Sequence, residues 1–127
     1  MQKILNNYDK ENIFAKILRS EIPCSKVYED KYALAFNDIN PQSEIHILVI
    51  PKGEYISFND FSDKASSEEI NSFFKTVRKV AKQVGIDTSG YRIISNHGPD
   101  SHQEVPHFHV HILGGNPLGT LLVKGGK

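Results

Sequence analysis

The sequence contains a single cysteine, no excess of either charge and no long apolar segment. With Cys24 alone, the chain cannot form an internal disulfide or a CxxC metal or redox pair. Fifteen basic residues balance fifteen acidic ones, so the composition gives no basic excess for binding nucleic acid or an anionic membrane. No apolar stretch approaches the roughly 18 to 20 residues of a membrane span, and the start does not resemble a signal peptide. We therefore expect a cytoplasmic protein without nucleic-acid or membrane partners.

The length and the composition are those of one globular domain. The chain has 127 residues, of which 39% are hydrophobic, and a chain of this size normally forms one core. A single domain over residues 1–127 is therefore predicted.

Two segments have the apolar spacing of helices. Residues 12–19 predict a short amphipathic helix that ends before Pro23. Ser66 and Glu69 form a capping-box pattern, and the apolar residues that follow keep a 3.6-residue period as far as Gly85. This second pattern predicts a long helix.

Five segments have the composition of strands, namely residues 26–29, 32–36, 44–51, 91–96 and 106–113. The short connections between successive strands exclude parallel crossovers. Because the long helix lies between the third and fourth strands, the order predicts an α+β domain. Its five-stranded, mainly antiparallel sheet would be accompanied by one short N-terminal helix and the long helix. The third strand is apolar on both faces apart from His46, which indicates a central position.

Histidine is concentrated in one part of the chain, since five of the six histidines lie between His97 and His111. His107, His109 and His111 alternate with Phe108, Val110 and Ile112. In a strand, residues two apart share a face, so the imidazoles would form a row while the apolar side chains enter the core. A row of three favours a functional site over a solvated polar surface.

Two kinds of chemistry fit such a row. Imidazole is a common transition-metal ligand, and a further histidine or carboxylate could complete a zinc site. Imidazole can also attack phosphorus and form a covalent intermediate while a neighbouring imidazole donates a proton. The spacing alone does not decide between metal binding and nucleophilic catalysis. Three alternating residues of one strand, however, reach a single zinc ion only with difficulty. The preceding loop, residues 96–105, is either an anion-binding nest or an ordinary solvated loop.

The segments HFHVHIL, IFAKILRSEIP, AFNDINPQSEIHILVIPK and the LGG after the triad resemble the Hint branch of the histidine triad (HIT) family over residues 12–119. The resemblance implies the HIT fold and a nucleotide-binding hydrolase. Such an enzyme cleaves the P–N bond of purine nucleoside 5′-monophosphoramidates without a metal or another cofactor. It also implies a homodimer. Dinucleoside polyphosphate hydrolases are an alternative that fits the Leu-Gly-Gly segment less well.

The resemblance also assigns roles to the histidines. His109 would attack phosphorus and form a nucleotidyl-histidine intermediate, which water would then hydrolyse. His111 would contact the phosphate and help to protonate the leaving amine, because an amide anion is a poor leaving group. His107 and His46 would orient the nucleophile.

The remaining residues carried over by resemblance would bind the nucleotide. Asp38 would bind the ribose hydroxyls, Asn96 and Gln103 would lie on the phosphate side, and Asn37 would lie near the base. Six apolar residues would line the base cleft, although core packing is the alternative for each of them: Ile13, Phe14, Ile17, Ile22, Phe36 and Ile39.

Three residues depart from the family pattern. Ser101 and His102 stand where relatives often have two glycines, and Glu104 stands where many have a phosphate-contacting serine. Glu104 would repel an anion unless it turned away or faced the amine, so we do not assign it to catalysis. Two further hypotheses remain at this point: a regulatory nucleotide-binding protein with residual hydrolase activity, and a zinc-binding protein.

Overall fold

The computed structural model describes residues 7–122, which contain three helices and five strands. The helices are α1 (Ile13–Leu18), α2 (Phe58–Lys64) and α3 (Ser67–Gln83). The strands are β1 (Lys26–Glu29), β2 (Ala33–Asn37), β3 (Ile45–Pro51), β4 (Tyr91–Ile94) and β5 (Val110–Gly114), and a 3₁₀ turn spans Pro99–Ser101. None of the described helices is long and apolar enough to cross a membrane.

The five strands form one sheet in the order β1-β2-β3-β5-β4, and every neighbouring pair is antiparallel. The predicted α+β architecture is confirmed, and β3 occupies the predicted central position. The sheet pairs His46 with Leu113 and Leu48 with His111, so the third strand and the histidine segment lie side by side. The ends of the predicted domain, residues 1–6 and 123–127, lie outside the described residues.

The sheet separates two apolar clusters. On one face, the apolar residues of α3 pack on Ile47, Val49 and the alternating residues of the histidine segment. On the other face, Phe14 of α1 packs on the alternate residues of β2 and β3. Phe108, Val110 and Ile112 are at most 1% exposed and belong to the α3 side, as the alternation predicts. The histidines consequently face the side that α1 covers.

The long helix begins at its predicted cap, but its capping box is one-sided. The Ser66 hydroxyl accepts a hydrogen bond from the backbone N–H of Glu69 at 3.1 Å. The Glu69 carboxylate instead accepts a hydrogen bond from the Tyr55 hydroxyl at 2.8 Å. Glu69 therefore connects the helix to the segment after β3.

The structure adds one helix to the predicted elements and shifts several strand boundaries, such as the end of β4, which lies at Ile94 instead of residue 96. Helix α2 was not predicted because it has only two apolar residues at helical spacing, and its cap, Ser57, makes no side-chain hydrogen bond. Tertiary packing holds it, since Phe61 is fully buried and stacks on Phe108 with ring centroids 4.7 Å apart. Strand β5 begins at Val110 instead of residue 106, because Phe108 donates its N–H to the Tyr55 carbonyl, outside the strand ladder.

The turn after β5 requires glycine at one position in particular. Gly115 has a φ of +87°, and a Cβ atom there would lie 2.9 Å from Cγ1 of Ile45 and 3.1 Å from Cβ of Glu44. Gly119 has a similar φ of +81° but no atom within 4 Å of such a Cβ. The backbone conformation thus disfavours a side chain at both positions, whereas close packing disfavours it only at Gly115.

These two glycines allow backbone strain to be separated from close packing. We expect Gly119→Ala to lower the free energy of unfolding by about 1 kcal/mol, through backbone strain alone. We expect Gly115→Ala to lower it by about 2 to 3 kcal/mol, because the start of β3 must also move. Urea unfolding of both variants measures the difference. Equal losses would contradict the packing argument.

Candidate active site

A cavity of about 510 Å³ lies between α1 and the sheet and brings most of the predicted site residues together. Its lining includes His109, His111, Asp38, Asn96 and Asn37 together with all six predicted cleft residues, Ile13, Phe14, Ile17, Ile22, Phe36 and Ile39. His107, His46 and Gln103 are not part of the lining. The six apolar residues have different degrees of exposure, since Phe14 and Phe36 are buried whereas Ile39 is 88% exposed at the edge.

His109 is held by a hydrogen bond to the backbone of its own segment. Its Nδ1 atom lies 2.7 Å from the carbonyl oxygen of His107. A carbonyl can only accept, so Nδ1 carries the proton and Nε2 of the neutral ring carries a free lone pair. The ring is 7% exposed, and the Phe14 ring meets it edge-on at 4.9 Å. The nitrogen with the free lone pair is therefore the one that is not hydrogen-bonded to the backbone.

His46 and His111 form a second pair with a defined direction of donation. The backbone N–H of Gln42 donates to Nδ1 of His46 at 3.0 Å, which leaves the proton of that neutral ring on Nε2. The Nε2 atom of His46 lies 2.9 Å from Nδ1 of His111 and donates to it. The neutral His111 ring consequently carries its proton on Nε2.

His107 lies behind the cavity and is fully buried. Its Nε2–H donates to the carbonyl oxygen of Pro51 at 2.8 Å, and its Nδ1 accepts a hydrogen bond from the Tyr8 hydroxyl. Sequence reasoning did not identify Tyr8, because it lies 99 residues from His107 and belongs to no motif. The carbonyl of His107, not its ring, contacts His109.

Burial lowers the pKa of all four imidazoles and so favours their neutral forms. It lowers the pKa of His107 to about 4, against the opposing effect of the Pro51 hydrogen bond. Burial, together with the neighbouring rings of His109 and His46, lowers the pKa of His111 to about 4. Desolvation also lowers the pKa values of His109 and His46. His111 therefore resists protonation more strongly than an exposed imidazole does.

Among the described residues, Asp38, His46 and His111 have ligating atoms close enough to suggest a metal site, all within 4.8 Å of one another. The two nitrogens are only 2.9 Å apart and share a proton. Two histidine nitrogens on one tetrahedral zinc ion are separated by about 3.3 Å. Zinc binding would thus require the rings to separate and the hydrogen bond to break.

The loop before the histidine segment uses its polar groups internally. Gln103 donates to the carbonyl oxygens of Ile56 and Val105 at 2.7 and 3.0 Å and accepts from the N–H of Gly98 at 2.9 Å. The N–H groups of His102 and Gln103 donate to carbonyls of the same loop. These three N–H groups are therefore not directed at an anion, and Gln103 holds the loop together from outside the cavity.

The three residues that depart from the family pattern lie at the edge of the cavity. His102 has a φ of +62°, in the left-handed region that glycine adopts most easily. Its Nε2 lies 3.0 Å from the Glu104 carboxylate, and both side chains are exposed. The Ser101 hydroxyl donates to the carbonyls of His97 and Gly98.

Because the pKa of His107 is lowered in the folded chain, the free energy of unfolding should decrease as the pH falls. Between about pH 4 and pH 6.5 the unfolded chain binds a proton at this residue that the folded chain does not, so stability falls as the pH falls. Above pH 6.5 the residue causes no such loss, and below about pH 4 the loss in the free energy of unfolding reaches about 3 kcal/mol. We expect urea unfolding to show this decline between pH 7 and pH 4, and a shallower one for His107→Gln. His102→Gln removes an exposed imidazole as the control, and an unchanged slope in His107→Gln would refute the assignment.

Comparison with known proteins identifies the family of the chain. A family model described as HIT domain matches residues 19–118. The chain is 54% identical over 118 residues to an uncharacterized HIT-like protein of Azospirillum brasilense, covering 93% of this chain and 97% of the relative. It is 43% identical over 117 residues to the purine nucleoside phosphoramidase of Escherichia coli K12, covering 92% and 98%. The crystal structure of a HIT family hydrolase from Legionella pneumophila matches with a TM-score of 0.80 at 39% identity, covering 86% and 96%. The chain therefore belongs to the HIT-domain family, as its alternating histidines predict.

Proposed function

We propose that this protein is a nucleotide-binding hydrolase that cleaves the P–N bond of purine nucleoside 5′-monophosphoramidates. The observation that carries the proposal is the state of His109, a neutral imidazole whose Nδ1–H is bound to the His107 carbonyl. Its free Nε2 lies in the same cavity as His111. The purine nucleoside phosphoramidase of Escherichia coli, at 43% identity, supports this choice of substrate.

In the first step, the Nε2 lone pair of His109 attacks phosphorus and the P–N bond breaks. The phosphorylated ring carries a positive charge, which the His107 carbonyl stabilises through the Nδ1–H hydrogen bond. The amine needs one proton to leave. The His111 ring, which is protonated on both nitrogens once the anionic substrate is bound, donates that proton from Nε2 and becomes neutral. In the second step, His111 removes a proton from water, whose oxygen attacks phosphorus and displaces His109. His109 is neutral again once it is displaced. His111 gives up the proton it took from water when the nucleoside monophosphate leaves, so both rings end the cycle neutral.

His111 becomes an acid only when an anion is bound. A second proton on His111 would lie on Nδ1, where it would face the Nε2–H group of His46. His46 cannot move its proton to the other nitrogen, because Nδ1 of His46 already accepts from the N–H of Gln42. The bound phosphoramidate supplies a negative charge nearby, which raises the lowered pKa of His111. The proton is thus taken up together with the substrate.

The cavity fits a nucleoside with its base against α1. The apolar side chains of α1 and β2 form one wall, and they contact either face of a planar base. One Asp38 carboxylate oxygen accepts from the N–H of Asn40 at 2.8 Å, and the other, 3.4 Å from Nε2 of His46, accepts from the ribose hydroxyls. Asn37 and Ile39 flank the base, and Asn96 faces the phosphate. Gln103 acts on the phosphate side by holding the loop.

The family resemblance further leads us to propose a cytoplasmic homodimer. The edge strand β4 offers an unpaired side to a second copy, and Ile93 on this strand is 51% exposed. An exposed apolar side chain on an open sheet edge favours pairing with another strand. The described residues that line the cavity all belong to one copy of the chain.

Steady-state hydrolysis of a fluorogenic adenosine 5′-phosphoramidate tests the proposed function. We expect turnover that resists a strong chelator and falls by on the order of 10³-fold or more in His109→Ala, which removes the nucleophile. His97→Ala, a histidine outside the cavity, is the control. Undiminished turnover by His109→Ala would refute the assignment, and loss on chelation would favour a metal at Asp38, His46 and His111. Faster cleavage of a dinucleoside polyphosphate would replace the proposed substrate class.

The charges of the cavity predict a preference among leaving amines. Asp38 and Glu104 contribute carboxylates to the lining, which includes no lysine or arginine. An amine that carries a second, protonated amino group should therefore react better than a neutral alkylamine of equal length. Exposed charge pairs contribute about 0.2 to 1 kcal/mol, so we expect Glu104→Gln to reduce this preference in kcat/KM about two- to fivefold.

The control for this prediction is Glu44→Gln, which removes an exposed carboxylate outside the cavity lining. Comparing adenosine phosphoramidates of a diamine and a monoalkylamine cancels any general effect on turnover. An unchanged preference in Glu104→Gln would show that this carboxylate does not face the leaving group.

A further inference from the structure

A short segment before α1, residues 8–12, has a defined conformation and is called the strap here. The Asp9 carboxylate accepts from the N–H of Glu11 at 2.9 Å, and the Asp9 carbonyl accepts from the side chain of Asn12 at 2.7 Å. Asn12 in turn caps α1, because its side chain accepts from the N–H of Ala15 at 2.9 Å. The strap is therefore continuous with the helix that covers the cavity.

Two contacts fix the strap against the rest of the domain. The Lys10 ammonium lies 2.8 Å from the Glu54 carboxylate, beyond the end of β3. Arg19, just after α1, donates to the Lys10 carbonyl at 2.8 Å. Because Glu54 follows β3 and Arg19 follows α1, these two contacts hold the strap, and Tyr8 with it, against the domain.

Tyr8 lies directly against the fully buried ring of His107. The Tyr8 hydroxyl donates to Nδ1, and the two rings meet edge-on with centroids 5.6 Å apart. The other nitrogen of the ring donates to the Pro51 carbonyl. The Tyr8 hydroxyl donates to one nitrogen of the neutral His107 ring, and the Pro51 carbonyl accepts from the other. Rotation of the ring would break both hydrogen bonds.

The position of this ring matters because its residue lies outside the regular sheet. Strand β5 begins only at Val110. The preceding segment is held by the His107 ring and by the hydrogen bond from the N–H of Phe108 to Tyr55. The His107 carbonyl fixes the proton of His109 on Nδ1, so the site of attack depends on how firmly His107 is held.

We propose that Tyr8 is a positioning residue for the nucleophile and acts through His107. Its hydroxyl holds the His107 ring, and the carbonyl of the same residue holds His109 with Nε2 towards the substrate. This inference rests on the proposed function for its kinetic consequence, whereas the contact itself can be measured without substrate. Tyr8 does not line the cavity and is assigned no contact with the nucleotide.

The kinetic test compares Tyr8→Phe with Tyr32→Phe. The first variant removes the hydroxyl and keeps the ring that covers His107. The second removes a hydroxyl that is bound to Glu68 on the surface. We expect kcat of Tyr8→Phe to fall about three- to tenfold while KM changes less than twofold, because positioning of the nucleophile is impaired and nucleotide binding is not. Tyr32→Phe should retain both wild-type constants.

A second readout separates positioning from a loss of stability. In protein labelled with ¹⁵N-histidine, the Nδ1 resonance of His107 should move towards that of an acceptor without a hydrogen bond in Tyr8→Phe and remain in place in Tyr32→Phe. Wild-type kcat with an unmoved resonance would overturn the inference, as would a lower melting temperature accompanied by neither change. Absence of wild-type turnover would overturn the proposed function and the positioning role with it, even if the resonance moved.

Discussion

The hydrogen bond from Nδ1–H of His109 to the carbonyl of His107 is the contact on which the proposed chemistry depends. A backbone carbonyl can only accept, so this bond decides which ring nitrogen is free to attack. It also stabilises the positive charge that the ring gains when Nε2 binds phosphorus. The two-residue alternation of the segment places His111 next to this nucleophile, with ring centroids 5.1 Å apart.

Burial also affects the charge of the imidazoles in the site. A buried imidazole resists protonation, and the pKa values of His107 and His111 fall to about 4. Neutrality suits the nucleophile, but an acid must be charged before it can donate a proton. In the proposed mechanism, the directed contacts from Gln42 through His46 to His111 reconcile these needs, because they keep the pair neutral until an anion binds. Substrate binding and proton uptake would then be coupled.

Strong local patterns made much of the fold predictable. The period of α3 and the alternation around His109 fixed the long helix and the core face of β5, and His46 was placed correctly on a central strand. Helix α2 was missed because Phe61 is held by tertiary packing instead of by a local pattern. The resemblance places Gln103 on the phosphate side, and that placement stays a prediction. Its hydrogen bonds to the loop could not be predicted, because they depend on partners that only the folded chain brings together. The role of Tyr8 could not be predicted either, because its contact with His107 joins residues that are 99 positions apart in the sequence.

The stereochemical course at phosphorus tests the central claim most directly. A phosphorus-chiral adenosine phosphorothioamidate would be hydrolysed in ¹⁸O-water and the configuration of the product determined. Attack by His109 followed by attack of water is two in-line displacements, so the account predicts overall retention. Inversion would mean that water attacks phosphorus directly, and it would contradict a nucleotidyl-histidine intermediate.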